Sequence, residues 1–413
     1  MRILSKANMQ IGFLTLNTQE RAQITKVLQA IREQQAIDEL GIGRLRDAFS
    51  NRLFPGMSTL QHHAKYFVVL PAMYYHLIKG SYSRAAEVSS KIIAEEINIT
   101  DRFKRWAEEN GVQYWKNGIT GSEVLEQAKM DAAKYVKYDP TYIYWNGMVT
   151  YEMVNIHSNL TQHILGCSRR RIQHEEDDDP MALSGERPAF SICDEKYDFS
   201  SNTPLPLSLT EKEAKYILEH ITRARASKDS LLAYLLTQNT PICEEYLALG
   251  DLWKDSLTKD LLEVYLLSTY FSRFVRLLKK RFKLHFSELE QEEENRIRYR
   301  DDFDKDLEEY SHDINAEYIE AVLAYFAKDV TEKTLIRFCK NAAKVVDSHN
   351  FKELDLMLEH REQEVKGKKR SKMLNHSKYS GYNFSGEGLT YRWELVYDMI
   401  KEIREGLGVW QEI

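Results

Sequence analysis

The chain has 413 residues, and hydrophobic residues make up 43% of it, so it can build one large core or the cores of two domains. Its formal net charge of −6 excludes a protein whose whole surface is positive, but leaves room for a local basic patch. The four cysteines are far apart and form no Cys-x-x-Cys pair, which argues against a zinc site or a disulfide framework and predicts reduced thiols in the cytoplasm.

The sequence gives no sign of a membrane segment. The N-terminal residues lack the long apolar stretch and small-residue cleavage site of a secretory signal. The most apolar window, "YFVVLPAMYY" at 66–75, is shorter than the roughly 18 to 20 residues that a membrane-spanning helix needs. We therefore expect no membrane partner.

The first part of the chain predicts a series of helices. Asn17 or Thr18 caps a helix that runs to about Arg32, and "GRLRDAFSNRLF" predicts a second helix that ends at a Pro-Gly turn. The capping-box pattern Ser58-x-x-Gln61 predicts the start of a third helix, which Pro71 should kink. Further helices are predicted at about 81–95, 100–110, 121–135 and 141–165.

Residues 166–206 differ from the sequence on either side. They carry blocks of charge and four of the eight prolines, and they have no hydrophobic period. The segment is therefore predicted to be a flexible charged linker or insertion. It would separate an N-terminal helical domain at 1–165 from a C-terminal helical domain at 207–413.

The C-terminal part is also predicted to be helical. A capping box, Thr210-x-x-Glu213, opens a pair of helices. The stretch 257–309 is basic in its first half and acidic in its second, which predicts two antiparallel helices whose charges pair, or a hairpin that projects into solvent. Further helices are predicted near 313–327, 331–347, 350–365 and 390–406. The predicted fold class is mainly α, with two helical domains or lobes and little or no β-sheet.

The segment 359–393, called the basic segment below, is the main candidate site. Between 366 and 378 it contains many cations and no Asp or Glu, and aromatic residues and glycines follow. Mobile cations bind phosphates, and aromatic rings stack on bases. The alternative is a solvated charge run at a helix end, where the helix dipole favours cations. The candidate nucleic-acid-binding residues are Arg361, Lys366, Lys368, Lys369, Arg370, Lys372, Lys378, Tyr382 and Phe384.

A secondary candidate for phosphate contact is the helix that begins in "GIGRLRD", which carries Arg44 and Arg46 near its start and Arg52 further along. The alternative is a tight glycine turn that enters a packed helix. The segment lacks the spacing of a nucleotide-binding loop.

Two nuclease patterns are present only in part. The pairs His63/Lys65 and His376/Lys378 have the His-x-Lys letters of a phospholipase-D-type nuclease, but no Asp follows at the required position. Glu364-Val365-Lys366 has the Glu-x-Lys letters of a metal-dependent nuclease, without a visible partner strand. We therefore predict no catalytic residue, metal ligand or cofactor.

Four blocks carry a resemblance to a known family: "DELGIGRLRDAFSNRLFPGMSTLQ" within 38–71, "IYWNGM" at 143–148, "LSLTEKEAKYILEHI" within 207–236, and "HREQEVKG" with "LTYRW" within 359–393. With these blocks in this order, over nearly its whole length, the chain resembles an uncharacterised bacterial family known only as a domain of unknown function. Tyr382 and Phe384 stand where relatives tend to have tryptophan and glycine, and the insertion 166–206 is private to this branch.

The family is met in bacterial defence and restriction islands beside helicase, nuclease and methylase genes. The resemblance implies a non-catalytic accessory component of an antiphage defence system, which binds DNA or a DNA-bound partner and helps to recruit a helicase or nuclease. The alternatives are a protein-interaction scaffold or sensor of the same system that does not bind DNA, and a metal-dependent nuclease.

Overall fold

The computed structural model describes residues 39–112, 118–156, 158–175, 188–193, 197–238, 241–248, 256–290, 293–310, 314–379, 381–382, 384 and 387–410. The helix predicted near 18–32 lies outside these residues. None of the four cysteines forms a disulfide bond. None of the described helices is long and apolar enough to cross a membrane.

The fold is mainly α, as the sequence predicts. Over the described residues the helices are α1 Gly43–Leu53, α2 Tyr66–Leu77, α3 Ala85–Glu109, α4 Leu125–Met130, α5 Pro140–Thr150, α6 Leu160–Glu175, α7 Glu211–Arg223, α8 Leu231–Thr237, α9 Lys259–Glu290, α10 Glu293–Tyr310, α11 Ala316–Tyr325, α12 Lys333–Asp347, α13 Phe351–Lys366 and α14 Trp393–Gly406. No strand occurs in this part of the chain, and one antiparallel bridge joins Val154 to Phe190.

The start of α2 differs from the prediction. The helix begins at Tyr66 and not after Ser58, although Ser58 N–H does donate to the Gln61 side-chain oxygen at 3.0 Å. The buried Gln61 amide also donates to the carbonyls of Gly56 and Ile143, both at 3.1 Å. These contacts hold Gln61 in a loop, so the capping-box letters do not start a helix here.

Two other boundaries differ as well. The predicted helices at 81–95 and 100–110 are one continuous helix, α3, because Ile97, Ile99 and Thr100 in its middle are buried. The predicted helix at 141–165 is two helices, α5 and α6. In α3 the burial of these side chains outweighs the lower helix propensity of β-branched residues.

The chain divides into two compact units, each made of several segments. Unit 1 contains Met1–Gly43, Arg276–Glu309 and Asn350–Glu387, and unit 2 contains Arg44–Val275, Tyr310–His349 and Gly388–Ile413. These bounds differ from the division at 166–206 that the sequence predicts, and that division stays a prediction.

Unit 2 has an aromatic core. Helix α2 packs on α3, α5 and α7, and α14 packs on α7 and α8. The buried ring of Tyr144 lies 4.7 Å from that of Tyr66 and 5.1 Å from that of Phe67. Beside them the buried Lys65 ammonium contacts both oxygens of Glu213 at 2.7 Å. The apolar middle of α2 is thus enclosed by helices from distant parts of the sequence.

Unit 1 is built around the end of α9, with α10 and α13. The buried Asp306 on α10 pairs with Arg276 at 2.5 Å and with Lys280 at 2.7 Å on α9. Phe303 of α10 packs edge-on against Phe351 of α13 at 5.1 Å. The predicted pairing of opposite charges between these antiparallel helices is confirmed.

Candidate nucleic-acid interface

The basic segment leaves helix α13 at a glycine turn. Lys366 is the last residue of α13, and Gly367 follows with a φ of +73°. Its N–H donates to the carbonyl of Gln363 at 2.8 Å. A positive φ is far easier for glycine than for other residues, so the chain turns here just before the basic run.

Four cations of the segment are exposed. They are Lys368, Lys369, Arg370 and Lys378, while Lys366 is half-buried. Over the described residues the structure shows no ion pair for any of the four. Their charges are therefore not neutralised by described carboxylates of the chain.

A buried carboxylate holds the backbone behind these cations. Glu362 accepts hydrogen bonds from the Ser371 hydroxyl at 2.6 Å, from Lys372 N–H at 2.5 Å and from Met373 N–H at 3.2 Å. Glu362 is fully buried. The backbone amides of Lys372 and Met373 are therefore occupied by the Glu362 carboxylate of the chain itself.

Further hydrogen bonds fix the same loop. The Asn375 amide donates to the carbonyls of Lys368 at 3.0 Å and of Ser371 at 2.7 Å. The Arg370 guanidinium donates to the Lys366 carbonyl at 3.0 Å. The exposed cations are therefore carried by an ordered backbone, which lowers the entropy that binding would cost.

Lys372 differs from its exposed neighbours. Its ammonium is bonded to the Glu39 carboxylate and lies 3.4 Å from the centre of the Tyr382 ring. The rings of Phe384 and Tyr379 are 5.1 and 5.9 Å away. An ammonium over aromatic faces is stabilised by the ring quadrupoles. Lys372 and Tyr382 are therefore engaged with each other inside unit 1.

The Glu39 carboxylate in this contact is close to its titration point at neutral pH. Burial raises the pKa of Glu39 to about 7, against the lowering effect of the Lys372 ammonium. Desolvation disfavours the charged form of the carboxyl. Protonation of Glu39 near neutral pH would weaken the contact that holds Lys372 among the rings.

Two further predicted contact residues are enclosed by the fold. Arg361 is 2% exposed and donates from Nε to the carbonyl of Leu40 at 2.9 Å. Phe384 is buried, with ring centres 5.1 Å from Phe282 and 4.9 Å from Phe286. Arg361 and Phe384 thus contact other parts of the protein, as core residues do, and are not exposed to a ligand.

The secondary candidates lie on α1, and these arginines belong to unit 2. Arg44 lies 3.5 Å from Glu332, Arg46 donates to Asp47 at 2.9 Å, and Arg52 donates to the Tyr325 hydroxyl and the Asp229 carbonyl at 3.1 Å. Each guanidinium thus has a protein partner.

The His-x-Lys pairs serve separate contacts. His63 Nδ1 is 2.6 Å from Glu402, and Lys65 is the buried partner of Glu213. His376 Nδ1 is 2.5 Å from Glu290. The two histidines belong to different units, and each is occupied by a carboxylate of its own unit.

A cluster on α9 and α13 has no counterpart in the sequence patterns. His285 Nδ1 lies 3.6 Å from Glu288 Oε2 and 3.8 Å from Asp355 Oδ2, and His285 Nε2 lies 2.7 Å from Glu359 Oε1. Arg281 bonds both oxygens of Asp355 at 2.6 and 2.5 Å. Among the described residues this is the group that could hold a metal ion. A local sequence pattern could not predict this cluster, because Glu359 is 74 residues from His285.

Unit 2 has a surface pocket of about 620 Å³ that contains a serine and histidine pair. His220 Nδ1 must carry its proton, because it faces the Tyr151 carbonyl at 2.8 Å. The Ser191 hydroxyl therefore donates to Nε2, at 2.9 Å. Burial lowers the pKa of His220 and keeps the ring neutral. The Ser191 hydroxyl and the His220 imidazole thus line the pocket as a hydrogen-bonded pair.

Comparison with known protein families gives a match over part of the chain. Residues 9–166 match the model of a family of unknown function, DUF6361. This stretch includes the sequence blocks within 38–71 and at 143–148, whereas the blocks within 207–236 and 359–393 lie beyond it. No curated protein and no solved structure matches the chain.

Proposed function

We propose that the basic segment binds the phosphate backbone of DNA, and that the protein is a cytoplasmic, non-catalytic accessory component of a bacterial antiphage defence system. The observation that carries the proposal is that Lys368, Lys369, Arg370 and Lys378 are exposed and form no ion pair with the described residues, on a backbone held by Glu362 and Asn375. On a chain of net charge −6, such a patch is a local feature and not a general property of the surface.

The contacts of the segment favour phosphates over bases as the ligand. The Lys372 ammonium already lies over the face of the Tyr382 ring, and Phe384 is buried. The two rings proposed for base stacking are therefore engaged, while the cations are free for phosphate oxygens. Binding through phosphates carries little sequence specificity, so we expect duplexes of different sequence to bind alike.

The link to a helicase or nuclease rests on the resemblance of the sequence blocks to a family met in defence islands. A protein that holds DNA without cleaving it contributes by bringing the enzyme to its substrate. We propose that one such enzyme is the protein partner of this chain.

The test is fluorescence anisotropy with labelled duplex and single-stranded DNA over a salt series. Four phosphate contacts predict a slope of log K against log salt of about −3.6 on duplex DNA. Replacing Lys368, Lys369 and Arg370 together by alanine should reduce the slope by about 3 and weaken binding to all sequences.

A matched variant controls for net charge. Lys212, Arg225 and Lys228 are exposed cations of unit 2, and their triple alanine variant removes the same charge. We expect this variant to bind like the unmodified protein. Equal losses in both triple variants, or no binding at low salt, would overturn the assignment to the basic segment.

One observation favours a second candidate, a scaffold that docks proteins through α10. Ile297 in this helix is 54% exposed, and Asp301, Asp304 and Glu308 are exposed along the same helix. A basic partner surface with an apolar centre would fit this face. Co-expression with defence enzymes tests the idea: an Ile297→Lys variant should lose a complex that the unmodified chain forms, and retention of the complex would exclude this face.

A further inference from the structure

The proton on His285 can be placed from its contacts. Nε2 is 2.7 Å from a Glu359 oxygen, and a carboxylate accepts hydrogen bonds. Nε2 therefore carries the proton and donates a hydrogen bond to the Glu359 carboxylate. In the neutral ring the other nitrogen, Nδ1, then holds a lone pair.

That lone pair faces negative charge. Nδ1 is buried and has no hydrogen-bond partner among the described residues. Glu288 Oε2 and Asp355 Oδ2 lie 3.6 and 3.8 Å from it. Three electron-rich atoms that face one another repel unless a positive charge lies between them.

We propose that His285, Glu288 and Asp355 bind one divalent transition-metal ion, such as Zn²⁺ or Mn²⁺. The three donor atoms lie within 4.8 Å of one another. Metal–ligand distances of about 2.0 to 2.2 Å place neighbouring ligand atoms roughly 3.0 to 3.6 Å apart. The separations of 3.6 and 3.8 Å from Nδ1 are within a few tenths of an ångström of this range, whereas the two carboxylate oxygens, which lie within 4.8 Å of each other, would have to approach by up to about 1.2 Å.

The surroundings have the features of a metal site. His285 and Glu288 lie one turn apart on α9, and Asp355 and Glu359 lie one turn apart on α13. A ligating histidine commonly donates its second N–H to a carboxylate, which is the position of Glu359. Imidazole with carboxylates suits Zn²⁺ and Mn²⁺ better than soft metals. Three protein ligands leave coordination positions open to water.

Two arginines set the local charge. Arg281 bonds both oxygens of Asp355 and lies 3.9 Å from Glu288 Oε2, whereas Arg300, which is largely exposed, lies 3.2 Å from the other oxygen of Glu288. Neither guanidinium contacts Nδ1. With the carboxylates of Glu288, Asp355 and Glu359, the cluster retains one net negative charge when His285 is neutral. The competing occupant is a proton on Nδ1, and the experiment distinguishes it from a metal.

The test is isothermal titration calorimetry on the full chain after removal of metals with a chelator, using ZnCl₂, MnCl₂, MgCl₂ and CaCl₂ at pH 7. We expect one Zn²⁺ or Mn²⁺ per chain and much weaker binding of Mg²⁺ and Ca²⁺. Replacement by Co²⁺ should give visible d–d absorption with a nitrogen ligand. DNA binding, measured in chelator, is a separate readout, so failure here leaves the proposed function untouched.

Variants assign the site. Glu288→Gln removes one ligand charge at a half-exposed position, and it should lower Zn²⁺ affinity at least 10-fold while circular dichroism stays unchanged. Glu359→Gln should lower it about 10- to 100-fold through the histidine. His376→Gln is the matched control, because its ring contacts the single carboxylate of Glu290. Absence of stoichiometric binding by either transition metal, or equal affinity in Glu288→Gln and the unmodified chain, would overturn the proposal.

Discussion

The buried pair of Lys65 and Glu213 shows what a single contact does in unit 2. Burial by itself would raise the pKa of Glu213, but hydrogen bonds from Lys65 and Tyr197 lower it below its ordinary value. Lys65 also donates to the Ser208 carbonyl at 3.2 Å. The charged carboxylate is thus stable inside the protein only because its partners are present.

Lys65→Met should therefore destabilise the protein by about 3 to 5 kcal/mol, since it leaves the Glu213 charge buried without its main partner. Urea unfolding measures this loss. Lys215→Ala is the control, because its pair with Glu211 is exposed and should contribute little to stability. Adding Glu213→Gln to Lys65→Met should restore part of the stability; a double variant as unstable as the sum of both singles would contradict the account.

His62 predicts a pH dependence of stability. A Cβ on Gly118 would lie 2.3 Å from His62 Cγ, so the ring is closely packed. Burial lowers the pKa of His62 to about 4, helped by His63 and opposed by Glu402. Below the unfolded pKa of 6.5 only the unfolded chain gains a proton, so stability is lost as the pH falls from 6.5 to 4, by about 3 kcal/mol.

His62→Gln removes this titration, and we expect its free energy of unfolding to fall less between pH 6.5 and 4. His360→Gln, at an exposed position of α13, should keep the pH dependence of the unmodified chain. Denaturant unfolding at several pH values gives both curves. Parallel curves for His62→Gln and the unmodified chain would refute the role of His62.

Also at the residue scale, the sequence shows where the cationic residues are, but it does not predict which of them are exposed in the fold. Lys368, Lys369 and Arg370 are exposed. Lys372 and Arg361 look equivalent in sequence, yet their partners Glu39 and Leu40 lie 333 and 321 residues away. A local pattern carries no information about such partners, and for the same reason the His285 cluster could not be predicted.

At the scale of the element, one sequence pattern gives two outcomes. Thr210-x-x-Glu213 forms a capping box at the start of α7, as predicted. Ser58-x-x-Gln61 does not start a helix, because the Gln61 amide bonds Ile143, 82 residues away. Helices are predictable where local hydrogen bonds decide their ends, and their boundaries shift where a distant residue competes for the capping side chain.

The pairing of α9 with α10 depends on Asp306. This carboxylate is buried between Arg276 and Lys280, so Asp306→Ala removes the buried carboxylate that both cations share and should cost about 2 to 4 kcal/mol. Arg296→Ala on the same helix removes an exposed pair with Glu293 and should change stability by less than about 0.5 kcal/mol. Thermal unfolding compares the two, and similar shifts would show that Asp306 is not what holds the helices.

At the scale of the whole molecule, the helical class follows from composition and period, whereas the assembly of each unit does not. Unit 2 brings distant parts of the sequence together: Glu402 of α14 accepts from His63 at 2.6 Å and from Ala64 N–H at 2.7 Å. Arg102 of α3 donates to the carbonyls of Asp198 and Thr203, at 2.9 and 2.8 Å. Unit 2 thus contains contacts across the segment 166–206, from Glu402 to His63, and contacts to the segment itself, from Arg102.

These contacts predict how the chain behaves when it is cut. A fragment of residues 207–413 retains α7, α8 and α14 but lacks α2, on which α7 packs, and it leaves Glu402 without His63. We expect this fragment alone to unfold without a cooperative transition, and co-expression with residues 1–206 to give a complex with the far-ultraviolet circular dichroism and cooperative melting of the full chain. An independent C-terminal domain, which the sequence predicts, would instead melt cooperatively on its own. That result would place the folding boundary at 166–206, because α7, α8 and α14 would then be stable without the helices that cover them in unit 2.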